Sequence, residues 1–402
     1  MSSAPAAPEL RLRRGEDRRL RAGHLWVFSN EVDVAATPLT AFATGSHARL
    51  VSDRGQFIGH AYVNPHALIC ARVLSQDESE PIGRELLERR LRTALAWRER
   101  IYAEPYYRLV FGEADGLPGL VLDRYDDVLV GQIATAGMEA MRAQVDALIA
   151  ELFAPRALVW RNNGSARDLE QLPREVLAAI GAAPAELAVV EAGLRCLVPL
   201  EVAQKTGWFY DQTANRARLA GFLRPGARVL DVCSYAGAWA LTALAAGARQ
   251  ATCVDSSAAA LAVAQRNAAA NGHKMGEAFH TLHGDAFDVL EALHQAGERF
   301  DAIVLDPPAF IKRRKDAPRG QAAYRKLNQQ ALRLLGDEGL LVSCSCSYHL
   351  AEGELLGLIQ TAARHTRRFV QVVAVGGQSP DHPLHPAIPE TRYLKAFFCR
   401  VT

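Results

Sequence analysis

From Arg228 to the C-terminus, strand-forming runs alternate with helix-forming ones, and no other feature of the chain restricts its fold so strongly. The strand candidates are Arg228–Val232, Ala251–Val254, Ala278–Leu282, Ala302–Leu305 and Leu340–Ser343. Between them lie Ala238–Ala246, Ala258–Ala270, Phe287–Ala296 and Ala323–Leu335, all of helical composition. Gly247 and Gly272 stand where helices end, because glycine tolerates the left-handed backbone of a C-cap. Repeated strand–helix units require a parallel sheet with right-handed crossovers and covering helices. Two further strands, near Phe369–Val375 and Tyr393–Arg400, bring the sheet to about seven.

The N-terminal part has a different rhythm. His24–Phe28, Gly45–Val51, Gln56–Val63 and Ala67–Leu74 are short alternating segments, with Asp53-Arg54-Gly55 as a turn. They predict a small β-barrel. Leu86, Leu87, Leu91 and Leu95 then recur at helical spacing within Glu80–Ala103. A mixed stretch follows, with strands at Tyr107–Phe111, Gly119–Asp123 and Val128–Ile133 and helices at Met138–Leu152 and Ser165–Ile180. The whole is an α/β chain in three parts, residues 1–76, 77–190 and 191–402.

Composition narrows the class. No apolar run approaches the ~18 residues of a membrane span, and Met1 to Glu9 reads as a frayed end and not as a leader. The seven cysteines make no disulfide framework and show no zinc spacing, so a reduced, cytoplasmic chain without a metal is expected.

Four carboxylates fall at or just beyond the ends of successive strands: Asp231, Asp255, Asp285 and Asp306. Ligands of open α/β sheets bind at that edge. Ser234, Tyr235, Ala236 and Gly237 follow the first strand, where small residues let the backbone approach a ligand and a helix N-terminus meets an anionic group. Asp255, with Ser256 beside it, is placed for two ribose hydroxyls. Asp285 suits an adenine amino group, with Ala286 and Phe287 against the ring. The set fits S-adenosylmethionine (SAM). A dinucleotide is the other reading, but no G-x-G-x-x-G supplies its pyrophosphate turn. Asp255 and Asp285 also precede helices and can act as N-caps.

Asp306-Pro307-Pro308-Ala309-Phe310 is a rigid turn after the fourth strand, and Ser343-Cys344-Ser345-Cys346-Ser347 ends the fifth. Ala309 stands where enzymes methylating exocyclic amines carry an aromatic. Carbon 5 of cytosine is a poor nucleophile, and a cysteine thiolate adding at carbon 6 would activate it, with Asp306 holding the base. Packing in the strand is the competing role for both cysteines.

Net charge is only +2, but Arg11, Arg13, Arg14, Arg18, Arg19 and Arg21 crowd one segment, and Lys312, Arg313, Arg314 and Lys315 another. Such clusters suit a phosphate-rich partner or a solvated surface.

Together with Gly112-Glu113-Ala114-Asp115-Gly116-Leu117-Pro118-Gly119, Lys205-Thr206-Gly207-Trp208-Phe209-Tyr210-Asp211-Gln212, Ser234–Gly237, Asp306-Pro307-Pro308 and Ser345-Cys346-Ser347, the chain resembles the ribosomal RNA large subunit methyltransferase I family. The resemblance implies an N-terminal PUA domain, a central α/β domain and a C-terminal Rossmann-like SAM methyltransferase domain. It implies methylation of carbon 5 of a cytosine in large-subunit (23S) ribosomal RNA, with Cys346 as nucleophile and Cys344 as a packing neighbour. By the same analogy it allows a homodimer. Lys205 and Gln212 then wall the cofactor entrance, and both basic clusters grip RNA phosphate. His382, in Asp381-His382-Pro383, is either near the substrate or structural. Three alternatives stay open: an RNA methyltransferase of another base such as guanine, an RNA-binding ribosome assembly factor with a vestigial pocket, and a small-molecule methyltransferase.

Overall fold

The computed structural model describes residues 7–402, and the chain packs as two compact units. The N-terminal stretch read as a frayed end lies outside the described residues up to residue 6, and Glu9–Arg11 is a strand. One unit comprises the chain up to Pro184 together with Asp381–Thr391; the other is Ala185–Pro380 with Arg392–Thr402.

In the first unit, Glu9–Arg11, Trp26–Phe28, His47–Val51, Phe57–Val63 and Ile69–Ser75 form one sheet whose edges are Glu9–Arg11 and Trp26–Phe28. The edges run on to meet each other, with Arg13 N–H donating to Glu31 O at 2.8 Å and Asp33 N–H to Arg11 O at 2.9 Å. Closure removes exposed edges and surrounds a core of Leu10, Leu12, Val27, Leu50, Val63 and Val73. The barrel is as expected.

A second five-stranded sheet follows, in the order Glu175–Ile180, Ala157–Asn162, Val128–Ile133, Leu120–Tyr125, Tyr106–Phe111. The helix Arg84–Ile101 buries Leu86, Leu87 and Leu91 in the core of this part, while Leu95 is half-buried. The helix expected over Ser165–Ile180 is not formed. Only Ala166–Leu169 is helical; Glu175–Ile180 pairs antiparallel with Ala157–Asn162. Pro173 lacks an N–H and interrupts the segment. Beyond it, the gain from pairing overrides the helical preference of the alanines. The helix expected over Met138–Leu152 breaks at Met141 into Ala136–Ala140 and Arg142–Phe153.

Arg98 ties this part together from the inside. Its guanidinium holds both oxygens of Asp115 at 2.7 Å and donates to the carbonyls of Arg108 and Asp381. Asp115 also accepts Phe111 N–H at 2.6 Å, so the Gly112–Asp115 turn is fixed at both ends.

In the second unit the seven-stranded sheet runs third, second, first, fourth, fifth, seventh, sixth, with the seventh strand antiparallel to its neighbours. The order reverses between Arg228–Val232 and Phe300–Leu305, which puts the ligand crevice at the carboxyl ends of the first and fourth strands. Leu230, Val232, Ile303 and Leu341 share a core with the helices Ala286–Gln295, Ala317–Leu334 and Glu352–Thr366. On the alternate side of the first strand, Asp231 meets the helix Ala238–Ala245. The helices Thr213–Phe222 and Glu352–Thr366 and the hairpin Glu186–Glu191/Leu194–Pro199 were not anticipated from the sequence.

Arg98 is 1% exposed, so its loss strands a buried carboxylate. Arg98→Met is expected to lower stability by about 3–5 kcal/mol, read as an earlier midpoint in urea denaturation. A change below about 1 kcal/mol would place the pair among weak surface bridges.

Candidate active site

The first strand delivers Asp231 into a fully buried position. One oxygen accepts Ala240 N–H at 3.2 Å, while Oδ1 has no hydrogen-bond partner. Burial pushes the carboxyl up to about 8; the nearby charges of Asp306 and Asp255 add to this, and the Ala240 amide opposes it. A buried carboxylate oxygen of this kind is costly to leave unpaired, so it favours a ligand that brings a donor.

The following turn is held open by its backbone. Cys233, Tyr235 and Gly237 have φ of 64°, 49° and 81°. Two of them are not glycine, so the surroundings must enforce the shape. Cys233 and Ser234 N–H groups both donate to Val254 O, and Tyr235 N–H donates to Asp255 at 2.9 Å. At Gly237 a Cβ would stand 3.0 Å from the Ala264 Cβ, so the loop and the next helix approach as closely as glycine permits.

Asp255 is half-buried and also accepts Ser257 N–H at 2.8 Å. Each oxygen thus keeps a lone pair. Ser256 is exposed beside it. Asp285 is exposed and caps the helix Ala286–Gln295 by accepting Phe287 N–H at 2.9 Å. Ala286 and Phe287 are half-buried, and the Phe287 ring stacks at 6.2 Å on Phe310, which in turn meets Tyr324 at 4.8 Å.

Asp306 is clamped by two donors, Gln212 Nε2 at 2.9 Å and Trp239 Nε1 at 3.0 Å. Asn215 donates to the Gln212 carbonyl at 2.7 Å and so fixes which end of the amide faces Asp306. Burial raises the Asp306 carboxyl to about 6, Asp211 adds to this, and the Trp239 hydrogen bond opposes it.

The two cysteines have different surroundings. Cys344 is fully buried, and burial holds its thiol far above the ordinary range. Cys346 is half-buried, its Sγ 3.8 Å from Pro307 O, so it stands beside the Asp-Pro-Pro turn. Burial, and then the Asp306 charge, push its thiol up to about 11, against the pull of Lys205. Lys205 itself is exposed, with Nζ 5.3 Å from the Phe209 ring centre.

Beneath Cys346 lies a support absent from the sequence reading. Lys395 is buried and donates to Ser347 O at 2.6 Å and Leu350 O at 2.9 Å. Tyr324 OH bridges the Ser345 and Ser347 hydroxyls at 2.9 Å each. The signal for Lys395 was a lone charge heading the apolar run Lys395-Ala396-Phe397-Phe398; Trp239 and Tyr324 carried none.

The basic segment in the first unit is less uniform than its sequence. Arg19 grips both oxygens of Glu31 and the carbonyl of Trp26, so it is a structural residue of the barrel and not a free phosphate ligand. Arg11 and Arg21 pair with Glu9 and Asp17. Arg13, Arg14 and Arg18 are exposed, and Arg13 Nε donates to Val32 O. In the second unit Lys312, Arg313, Arg314 and Lys315 are all exposed, with Arg313 near Asp316. His382 belongs to the first unit, buried, 2.8 Å from Asp381 and packed on Phe111. These contacts fit the structural of its two readings.

A model of S-adenosylmethionine-dependent methyltransferases matches residues 172–397, and a PUA-like domain model matches residues 10–76. Among solved structures, a chain described as a methyltransferase, crystallised with S-adenosylhomocysteine, superimposes with a TM-score of 0.82 at 20% identity, over 98% of this chain and all of its own. A chain described as a SAM-dependent methyltransferase from Streptococcus mutans gives 0.81 at 20% identity, with the same coverage. Sheet order and matched models together define a SAM-dependent methyltransferase with an N-terminal PUA-like domain. Ribosomal RNA large subunit methyltransferase I of Klebsiella pneumoniae is 34% identical over 398 residues, 98% of either chain. That of Salmonella arizonae is 33% identical over 407 residues, all of this chain and 99% of its own. The chain belongs to the ribosomal RNA large subunit methyltransferase I family. Among the described residues no helix is long and apolar enough to cross a membrane.

Asp231 and Asp306 have folded values of about 8 and about 6 against an ordinary 3.8. Between those limits the folded chain binds more protons than the unfolded one, so ligand-free stability falls as pH rises from about 4 towards 8. Asp231→Asn is expected to flatten the fall between pH 6 and pH 8, measured by chemical denaturation at each pH. A slope equal to that of the unaltered chain would remove Asp231 as its source.

Proposed function

We propose that this chain methylates carbon 5 of a cytosine in large-subunit ribosomal RNA through a covalent bond from Cys346. The observation that carries the reading is the contrast between the two cysteines: Cys344 is sealed in the sheet, while Cys346 is partly exposed beside Asp306 and Pro307. The names of the curated relatives support the RNA substrate.

The crevice suits SAM, which when bound supplies an electrophilic methyl on a sulfonium. Asp255 and Asp306 crowd the buried Asp231 with negative charge, which favours a ligand bearing positive charge. Asp255 and Ser256 would hold the ribose, and Asp285, Ala286 and Phe287 the adenine. Ser234, Tyr235, Ala236 and Gly237 would take the methionine end, with Asp231, Lys205 and Gln212 closing the site.

Cys346 acts first. Its thiol proton passes to solvent and the sulfur adds to carbon 6 of cytosine. The π electrons of the carbon 5–carbon 6 double bond form the new bond from carbon 5 to the methyl, as the methyl–sulfonium bond breaks and S-adenosylhomocysteine leaves. Asp306, near 6 and held by Gln212 and Trp239, binds the base edge and exchanges a proton at the ring nitrogen. Loss of the carbon 5 proton then expels the sulfur and restores the ring. Because burial raises the resting thiol to about 11, little of it is thiolate at neutral pH, and positive charge entering the site favours the thiolate. Arg11, Arg13, Arg14 and Arg18 and the Lys312–Lys315 cluster hold phosphate, which makes affinity fall steeply with salt.

RNA containing 5-fluorocytosine cannot lose a proton from carbon 5, so it traps the adduct. A SAM-dependent adduct is expected on denaturing gels, lost in Cys346→Ala and kept in Cys344→Ala. Methylation of natural RNA without any trapped adduct would refute the covalent route.

A further inference from the structure

The Gly112–Gly119 string belongs to the first unit and forms one wall of a cleft of about 320 Å³ within it. Volumes of this order hold small organic groups. Trp26, Arg72, Phe111, Glu113, Leu169 and Glu390 line it. Gly119 fixes the wall, since φ is +77° and a Cβ there would come within 2.2 Å of Thr135 Oγ1.

Inside is a built polar set. Arg72, with 11% of its side chain exposed, donates to Glu170 at 2.8 Å, and its Nε has no hydrogen-bond partner, the Glu113 carboxylate being 3.6 Å away. Glu170 is well engaged, since its other oxygen takes Asn64 at 2.7 Å and Ala136 N–H at 3.2 Å. Glu113 accepts the Trp26 indole N–H at 2.9 Å on one oxygen. Leu169, 76% exposed, stands at the rim.

Three carboxylates against one guanidinium make the cleft unfavourable for phosphate. It calls instead for a flat group with adjacent donors for Glu113, its faces against the rings of Trp26 and Phe111. Among the RNA bases, guanine alone presents two neighbouring donors on one edge, N1–H and the 2-amino group, which match the two oxygens of a carboxylate. Unstacked bases are bound in this manner, between rings and hydrogen-bonding side chains. We infer that the Trp26–Arg72–Glu113 cleft binds an unpaired guanine of the RNA, a recognition site separate from the methylated base. This rests on RNA being the substrate.

The test uses the full chain and fluorescence anisotropy with labelled U3GU3, U3IU3 (inosine, which lacks the 2-amino group) and U7. U3GU3 is expected to bind about tenfold more tightly than U7, with U3IU3 close to U7. Glu113→Gln and, independently, Leu169→Trp at the exposed rim should erase that preference while circular dichroism and melting stay unchanged. Equal affinity for the three RNAs, or a preference that survives both variants, would overturn the inference. So would binding of a labelled arginine hexapeptide in their place, lost in Glu113→Gln, which assigns the cleft to a protein side chain. Methylation of ribosomal RNA is scored separately. Its absence in the unaltered chain refutes the proposed function, whereas intact methylation without guanine preference refutes the cleft alone.

Discussion

The buried pair of Glu191 and Arg216 is the interaction on which the catalytic unit's geometry depends. Arg216 holds both oxygens of Glu191 at 2.5 and 2.6 Å and also donates to Phe209 O and Thr213 Oγ1. Trp208 donates its indole N–H to the same carboxylate. Burial alone would raise Glu191, but Arg216 and these donors outweigh it and hold the acid below its ordinary range. One ion pair thus anchors the hairpin, the Lys205–Gln212 segment and the start of the Thr213–Phe222 helix. Gln212 is thereby carried to Asp306, and Asp306 faces Cys346. Breaking either partner would leave an uncompensated buried charge.

The site this scaffold presents is electrostatically strained by design of the sheet. Parallel strands end side by side, so Asp255 and Asp306 come close to Asp231 and add to the burial that disfavours its ionisation. Burial, with the Asp306 charge adding to it, raises Cys346. In the proposed chemistry, a positively charged cosubstrate lowers all of these at once, so binding and activation of the thiol are one event. Lys395 and Tyr324, holding the backbone and hydroxyls around Cys346 from below, keep the sulfur's position independent of that event.

Much of this was legible in the sequence where a pattern is local. The strand ends at Asp231, Asp255 and Asp306, the helix Ala258–Ala270 and the barrel segments follow from periodicity and from glycine at turns. Ser165–Ile180 was misread because its alanines favour a helix in isolation, while pairing with Ala157–Asn162 is a long-range gain no local window contains. Asp285 shows the opposite limit. Its cap on Phe287 N–H was readable, but its exposure was not.

What the sequence determined by itself was the order of elements and the residue types that follow each strand, since each depends on spacing along the chain. Strand pairing decided the sheet order and with it the switch point. Tertiary structure decided which of those residues differ in environment. It sealed Cys344 and left Cys346 accessible, engaged Arg19 in the barrel while Arg14 and Arg18 stayed exposed, and brought Trp26 and Arg72 to the Gly112–Gly119 string. The reason is physical: burial and pairing are set by neighbours distant in sequence, and they fix charge, reactivity and access, which spacing does not encode.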